Sequence, residues 1–174
     1  MALKMDMSKA YDKVEWLFLE KILLKMGLQA LWVALIMECI STVSYSILVN
    51  GESKGIINLS RGLRQGDPLS SFLFFFCAEG LNAILRKLAR EGEIECFSLC
   101  RNGPRLTHLL FADNCLIFCR STLEECQKIQ TLLSYYEAAS SQMTNLAKTT
   151  LFFNRNTDEQ TQEAMKMSLG VPVI

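Results

Sequence analysis

The chain is short of the features that assign a protein to a class at sight. Eighteen Lys and Arg balance eighteen Asp and Glu, so the formal net charge is zero. A complete nucleic-acid-binding protein usually carries a basic excess, and composition alone gives no support to that function. Two apolar runs fall short of a membrane span, which needs roughly 20 residues: "FLFFFCA" (72–78) is far too short and "LWVALIMECI" is interrupted by Glu38. The opening "MALKMDMSKAYD" becomes charged at once and lacks the apolar stretch of a secretory leader. No pair of cysteines has the C-x2-C spacing usual for zinc. Cys96/Cys100 and Cys115/Cys119 have three intervening residues, C-x3-C, and fall in expected strands. Four residues of strand span roughly 13 Å, too far for both sulfurs to hold one ion. Unpaired buried thiols of a reducing compartment fit better. Repeats, low-complexity tracts and internal linkers are absent too.

What is present is one domain's worth of chain, 174 residues, half of them hydrophobic. A mean hydropathy of +0.19 points to apolar surface that meets another domain. Residues 2–7 read as a strand ending at Asp6. Asp12 and Glu15 have capping-box spacing before a stripe of Val14, Leu17, Phe18 and Ile22, which Gly27 stops. Trp32, Leu35, Ile36, Cys39, Ile40 and Val43 form a second helical stripe, read as core. "YSILVNGESKGIINL" is strand, Asn50-Gly51 turn, strand. After the polar loop "SRGLRQGD", Asp67-Pro68 starts a helix that runs to Arg90, apolar around much of its circumference and so deeply buried. A strand at 94–99 and a turn at "NGP" (102–104) follow. "HLLFADNCLIFC" (108–119) is two apolar runs about a polar pair, Asp113 and Asn114, at the chain reversal. Ser121 and Glu124 form another capping box, ahead of a Cys126, Ile129, Leu133, Tyr136 stripe. "TLFFN" (150–154) is a last strand, and a short helix near 158–168 precedes "LGVP". This order predicts an α+β fold, an antiparallel sheet with helices packed on one face.

Two carboxylates distant in sequence, Asp6 and Asp113, could meet if their strands are neighbours. Mg²⁺ takes oxygen ligands, typically one or two carboxylates with substrate phosphates, and two such ions can activate a 3′-hydroxyl and stabilise a leaving pyrophosphate. Spacing alone does not pair the two residues.

Five segments in order resemble the reverse transcriptases of non-LTR (LINE-type) retrotransposons, particularly the plant kind. "LKMDMSKAYDKVEW" (3–16) is similar to the family's first catalytic block, "RGLRQGDPLSSFLF" (61–74) to the second and "HLLFADNCLIFC" to the third, usually F-A-D-D. "SQMTNLAKTTLFF" (141–153) and "LGVP" (169–172) are similar to the next two. Group II intron polymerases are related, but "RQGDPLS" looks more like the retrotransposon type. The resemblance implies a polymerase palm that adds deoxynucleotides to a primer 3′-OH on an RNA template, using two Mg²⁺. It implies that Asp6, the Met7 carbonyl and Asp113 are metal ligands and that Asn114 stands at a degenerate catalytic position. It further implies that Tyr11 is the aromatic gate excluding a ribose 2′-OH, that Gln65 and Gly66 lie against nucleotide and template, and that Lys148 is near the nucleotide phosphates. The implied partners are RNA template, DNA primer and deoxynucleoside triphosphates, with no membrane; the implied location is intracellular, nuclear for a working retrotransposon polymerase.

Four departures stand out. Asn114 replaces the second Asp, keeping a carbonyl oxygen but losing a charge. Ser71 stands where the family usually has Pro, and Ser141 where it usually has Gly. The blocks begin at the first catalytic one and stop inside the last, so residues 1–174 are expected to be a truncated palm without fingers, thumb, endonuclease or RNase H regions. Little or no activity is expected of such a chain. The competing class is a non-catalytic protein, a retrotransposon remnant or an adopted interaction module.

Overall fold

The computed structural model describes residues 1–98, 100–101 and 103–171. Its elements run in chain order: β1 (Ala2–Ser8), α1 (Trp16–Lys25), α2 (Ala30–Ser41), β2 (Ser44–Val49), β3 (Glu52–Asn58), α3 (Pro68–Arg90), β4 (Phe97–Ser98), β5 (Arg105–Leu106), β6 (His108–Phe111), β7 (Asn114–Phe118), α4 (Leu123–Ser140), β8 (Met143–Thr144), β9 (Thr150–Phe152) and α5 (Glu159–Leu169). Among the described residues this is a mixed architecture of antiparallel sheets and five α-helices, consistent with the expected palm-type fold.

The main sheet is built on β1. One edge of β1 pairs antiparallel with β7, which pairs with β6; the other pairs with β9 near its start and β8 at its end. Side chains alternate between faces along a strand, and Leu3, Met5 and Met7 are buried while Lys4 is exposed. Directly paired residues share a face. Leu3 faces Ile117 and Met5 faces Cys115, all buried, so this face carries the core. Asp6 pairs with Asn114 on the other face, away from the helices.

The core side is closed by α3 and α4. Leu73, Cys77, Leu81 and Leu85 recur every fourth residue on α3 and are all buried, a stripe down one side of the helix. Gly80 in the same helix lets α1 come close: a Cβ there would lie 3.0 Å from the Phe18 ring and 3.2 Å from Ile22 Cδ1. Helix α4 buries Cys126, Ile129, Leu133 and Tyr136, the stripe its periodicity predicts. Among the described residues α3 alone is long and apolar enough to cross a membrane by length and composition, but its buried stripe makes it the central helix of this core.

Several local expectations are corrected. Helix α1 begins at Trp16 with Glu15 at its N-cap and no side-chain cap; the Asp12–Glu15 box does not form, because the 9–14 segment is engaged elsewhere, as described below. The α1 stripe is rotated: Leu19 and Leu23 are buried, and Leu17 is exposed. Helix α2 stops before Val43 and buries only Val33, with Trp32 61% and Leu35 46% exposed; its period is helical, but its apolar stripe is mostly surface. Likewise α3 is not buried all round, since Phe72 and Phe75 are 69% and 61% exposed. The cap of α4 is Thr122, accepting from Glu125 N, one residue on from the expected Ser121–Glu124 pair. The 94–99 strand shrinks to Phe97–Ser98 and the 150–154 strand to Thr150–Phe152. Strand β1 continues beyond Asp6 to Ser8. Leu99, Asn102 and the Pro172 of "LGVP" lie outside the described residues.

Ser141 ends α4 in the left-handed region, φ +56°. A glycine avoids the Cβ strain of that conformation, so serine here is a small local cost. All seven cysteines are free. Burial pushes the thiols of Cys77, Cys115 and Cys119 up to about 12 and that of Cys126 up to about 11, which keeps them protonated and inert at neutral pH.

Candidate active site

The chain reverses between β6 and β7 at Ala112 and Asp113, because Phe111 pairs with Asn114. The turn pair is therefore one residue earlier than the expected Asp113-Asn114. Ala112 carries a positive φ of +50°, unusual for alanine. Asn114 is the first residue of β7 and faces Asp6 across the sheet.

Backbone hydrogen bonds tie this turn to the end of β1. The Met7 amide donates to the Asp113 carbonyl at 3.1 Å, and the Asn145 amide donates to the Asp6 carbonyl at 2.8 Å. The Asn114 Nδ2 donates to Asp113 Oδ1 at 3.1 Å. A single 3-10 turn, Leu146–Lys148, follows Asn145 and brings Lys148 Nζ to 3.7 Å from Asp6 Oδ2. Asp6 is four-fifths buried and Lys148 two-thirds exposed. The topology thus gathers Asp6, Met7, Asp113, Asn114 and Lys148 at one end of β1.

The donor set here is two carboxylates and an amide oxygen. No group of three His, Cys, Asp or Glu able to hold a metal occurs among the described residues. Oxygen donors in this small number suit Mg²⁺, which retains water and fills its shell from substrate phosphates. They do not suit a closed zinc site.

Tyr11 is held against α3. Its ring stacks on Phe74 of α3, centroids 4.5 Å apart and planes 12° from parallel. Its carbonyl accepts from the Leu63 amide at 2.9 Å, and the Gly62 amide donates to the Val14 carbonyl at 2.8 Å. Trp16 Nε1 donates to the Gly62 carbonyl at 2.8 Å. These bonds clamp the loop before α3 onto the segment after β1. Gln65 and Gly66 are exposed further along that loop, and among the described residues no hydrogen bond joins them to the carboxylates. Asp67 accepts from Leu69 N at 2.8 Å, the expected cap with Pro68 behind it.

Two polar arrangements, one buried and one half-buried, escaped the sequence reading. Gln142, 2% exposed, donates through Nε2 to the Ala10 carbonyl at 3.1 Å and accepts from the Tyr136 hydroxyl. It thereby holds the residue preceding Tyr11 against α4. The only signal was a polar residue in a matched block, with nothing to say that it is buried. The second arrangement is a chain on the helix side of β6. Thr107 Oγ1 bonds His108 Nδ1 at 2.7 Å, His108 Nε2 bonds Asn82 Oδ1 at 2.8 Å, and Asn82 Nδ2 donates to Glu79 Oε2 at 2.7 Å. With Asn82 Oδ1 as acceptor, Nε2 carries the imidazole proton.

Burial, helped by Arg86 and partly opposed by Glu79, lowers the pKa of His108. The unfolded chain therefore takes up the proton first as pH falls. Stability is fully present above the ordinary histidine value near 6.5 and declines as pH drops below it, by at most about 1.4 kcal/mol per pH unit for one proton. Urea melts at about pH 7.5 and about pH 5.5 test this: the loss on acidification should be larger in the wild type than in His108→Gln. Equal losses would show that His108 is not the titrating group.

The sequence was compared with known proteins. Along 67 residues, 38% of the chain, it is 45% identical to a mitochondrial protein of Arabidopsis thaliana (AtMg01250), and the match spans about half of that protein, 55% of its length. A far longer match, residues 1–172, is to the family described as Reverse transcriptase (RNA-dependent DNA polymerase). That span takes in both strands carrying Asp6 and Asn114, the Asp113 turn between them in space and the helix beneath, and on it the chain belongs to the reverse transcriptase family.

Proposed function

We propose that residues 1–174 are the palm of an RNA-directed DNA polymerase of the non-LTR retrotransposon type, carrying an impaired metal site. The observation behind this reading is the register of β1 against β7, which sets Asp6 opposite Asn114 while the Met7 amide holds the Asp113 carbonyl. Asp6, the Met7 carbonyl and Asp113 are the proposed ligands of two Mg²⁺, and Asn114 lowers the charge of the site by one. Bound there, the ions would activate a primer 3′-hydroxyl and steady a departing pyrophosphate. Around them, Lys148 supplies a cation within reach of phosphate oxygens. Tyr11, held by its stack on Phe74, supplies a rigid ring against the sugar of a deoxynucleoside triphosphate. Gln65 and Gly66 lie exposed on the loop that the Tyr11–Leu63 bond anchors, free to touch nucleotide and RNA template. Asn114 also favours a second reading, a family member that keeps the fold as a non-catalytic binding module.

A metal titration tests the proposal. Mn²⁺, followed by loss of its free EPR signal, should bind the 174-residue chain weakly and Asp6→Asn hardly at all, since charge count sets affinity at such sites. Extension of a DNA primer on RNA should stay close to background. Mn²⁺ binding that Asp6→Asn leaves unchanged would end the metal-site reading, and robust extension would end the claim of impairment.

A further inference from the structure

Between α3 and β6, on the helix side of the sheet, lies a cavity of about 470 Å³ that shares Tyr11 with the polymerase reading but is otherwise outside it. One wall is apolar: Phe75, the Tyr11–Phe74 stack and the aliphatic Leu110 line it. The far end is polar, formed by Glu79, Asn82 and His108. Ala112, the residue before Asp113, is also part of the lining.

The polar end has a direction. Thr107 donates to His108, His108 to Asn82 and Asn82 to Glu79. Each of these donations is spent within the chain, and what is left at its end is acceptor: the Glu79 carboxylate, whose Oε1 has no partner among the described residues. Burial keeps His108 neutral, so the chain ends in a net negative group. No Lys or Arg lines the cavity. An anionic ligand such as a triphosphate therefore has no counter-charge here. A flat, uncharged ring with N–H donors on one edge has everything it needs: an aromatic face to stack on and a carboxylate to receive the donors.

We propose that this cavity binds a guanine base, stacked on Phe75 with its N1–H and N2–H₂ donating to Glu79. Guanine alone among the common bases presents two adjacent donors to a carboxylate. Adenine and cytosine offer one amino group and uracil a single ring N–H, and charge-assisted bonds are the strong ones. The cavity falls within the size of small-ligand sites, large enough for a base with its sugar towards the mouth. The base can come from a free guanine nucleotide or from an unpaired guanine of a nucleic-acid strand. The site does not depend on the metal reading, since none of the proposed metal ligands lines it.

Saturation-transfer NMR with guanosine, adenosine, cytidine and uridine monophosphates tests it on the whole chain. Guanosine monophosphate should bind best, and Glu79→Gln, which turns the free acceptor into a donor without changing shape, should weaken it about fivefold or more and erase the preference. Phe75→Leu, at an exposed position that the fold does not need, should weaken all four by a similar factor. Single-stranded oligonucleotides with and without one guanine separate the sources: binding of the nucleotide alone assigns a free ligand, and binding of the guanine-bearing strand assigns a nucleic acid. Absence of binding by any of these at millimolar concentration would overturn the proposal. So would equal binding of all bases that Glu79→Gln leaves unchanged. Thermal melts of both variants check that they remain folded.

Discussion

Asn114→Asp is expected to tighten divalent-ion binding by roughly five- to a hundredfold, about 1–3 kcal/mol, while polymerisation stays near background. Both halves follow from the geometry. The Asn114 amide now donates to Asp113 Oδ1 at 3.1 Å and sits opposite Asp6. A carboxylate in its place removes that donor and puts three negative groups together, with Lys148 the one cation paired with them among the described residues. Without an ion the variant should therefore be less stable than the wild type. With Mn²⁺ the order should reverse, because a ligand that binds only the folded state adds stability as its concentration exceeds the dissociation constant. Chemistry is another matter. Holding primer end, template and triphosphate in line can be worth ~7–11 kcal/mol, and restoring one carboxylate to the metal site does not supply it. Urea melts with and without Mn²⁺, an EPR titration and a primed-RNA extension assay separate the two effects. Unchanged ion affinity would mean that residue 114 is only the first residue of a strand; vigorous extension would mean that this alignment matters less than argued.

The elements that the sequence exposed well are those whose signal is local and redundant. Asp67-Pro68 marks the start of α3 because cap and proline act within one turn. The α4 stripe could be read because its polar and apolar faces differ. Phase was harder. Leu17, Leu19 and Leu23 all suit an apolar face, and which of them is buried depends on how α1 meets Gly80 of α3, a contact 60 residues away. The α2 stripe misled for a related reason: periodicity reports a helix, but burial is decided by what packs against it, and α2 keeps Trp32 and Leu35 outside. In the site, Asp6 and Asp113 were legible as residues and the pairing of β1 with β7 was not. That pairing joins strands more than a hundred residues apart, which neither run of sequence contains. The one-residue error at the turn has the same origin. Asp and Asn both tolerate turn geometry, and the pairing of Phe111 with Asn114 instead forces the positive φ onto Ala112. Gln142 and the Thr107–His108–Asn82–Glu79 chain were invisible because polar residues at those positions read as surface until the helices close over them.

Gly62→Ala should destabilise the chain by about 2–4 kcal/mol, and Gly66→Ala four residues later by only about 1–2 kcal/mol. The two glycines share a backbone conformation, φ +90° and +85°, so the strain of placing a Cβ in the left-handed region is common to both. They differ in space. A Cβ on Gly66 meets nothing within 4 Å, while one on Gly62 would lie 2.7 Å from the Asp12 carbonyl oxygen. That atom is backbone and cannot rotate away. Relief requires the loop to lift, which strains the Trp16 Nε1–Gly62, Gly62–Val14 and Leu63–Tyr11 hydrogen bonds together. The damage should therefore be local to Tyr11 as well as global. Quenching of Trp16 fluorescence by acrylamide should rise in Gly62→Ala and not in Gly66→Ala, alongside urea midpoints that fall by the stated amounts. Equal destabilisation of the two variants would show that φ alone matters here and that the loop is not clamped; an unaltered midpoint in Gly62→Ala would show that the close approach to Asp12 yields without cost. If the clamp holds as described, the position of the Tyr11 ring is set by the loop that carries Gln65 and Gly66. Tyr11 of the first matched block and the loop of the second would then be joined through main-chain bonds that only a glycine at 62 allows.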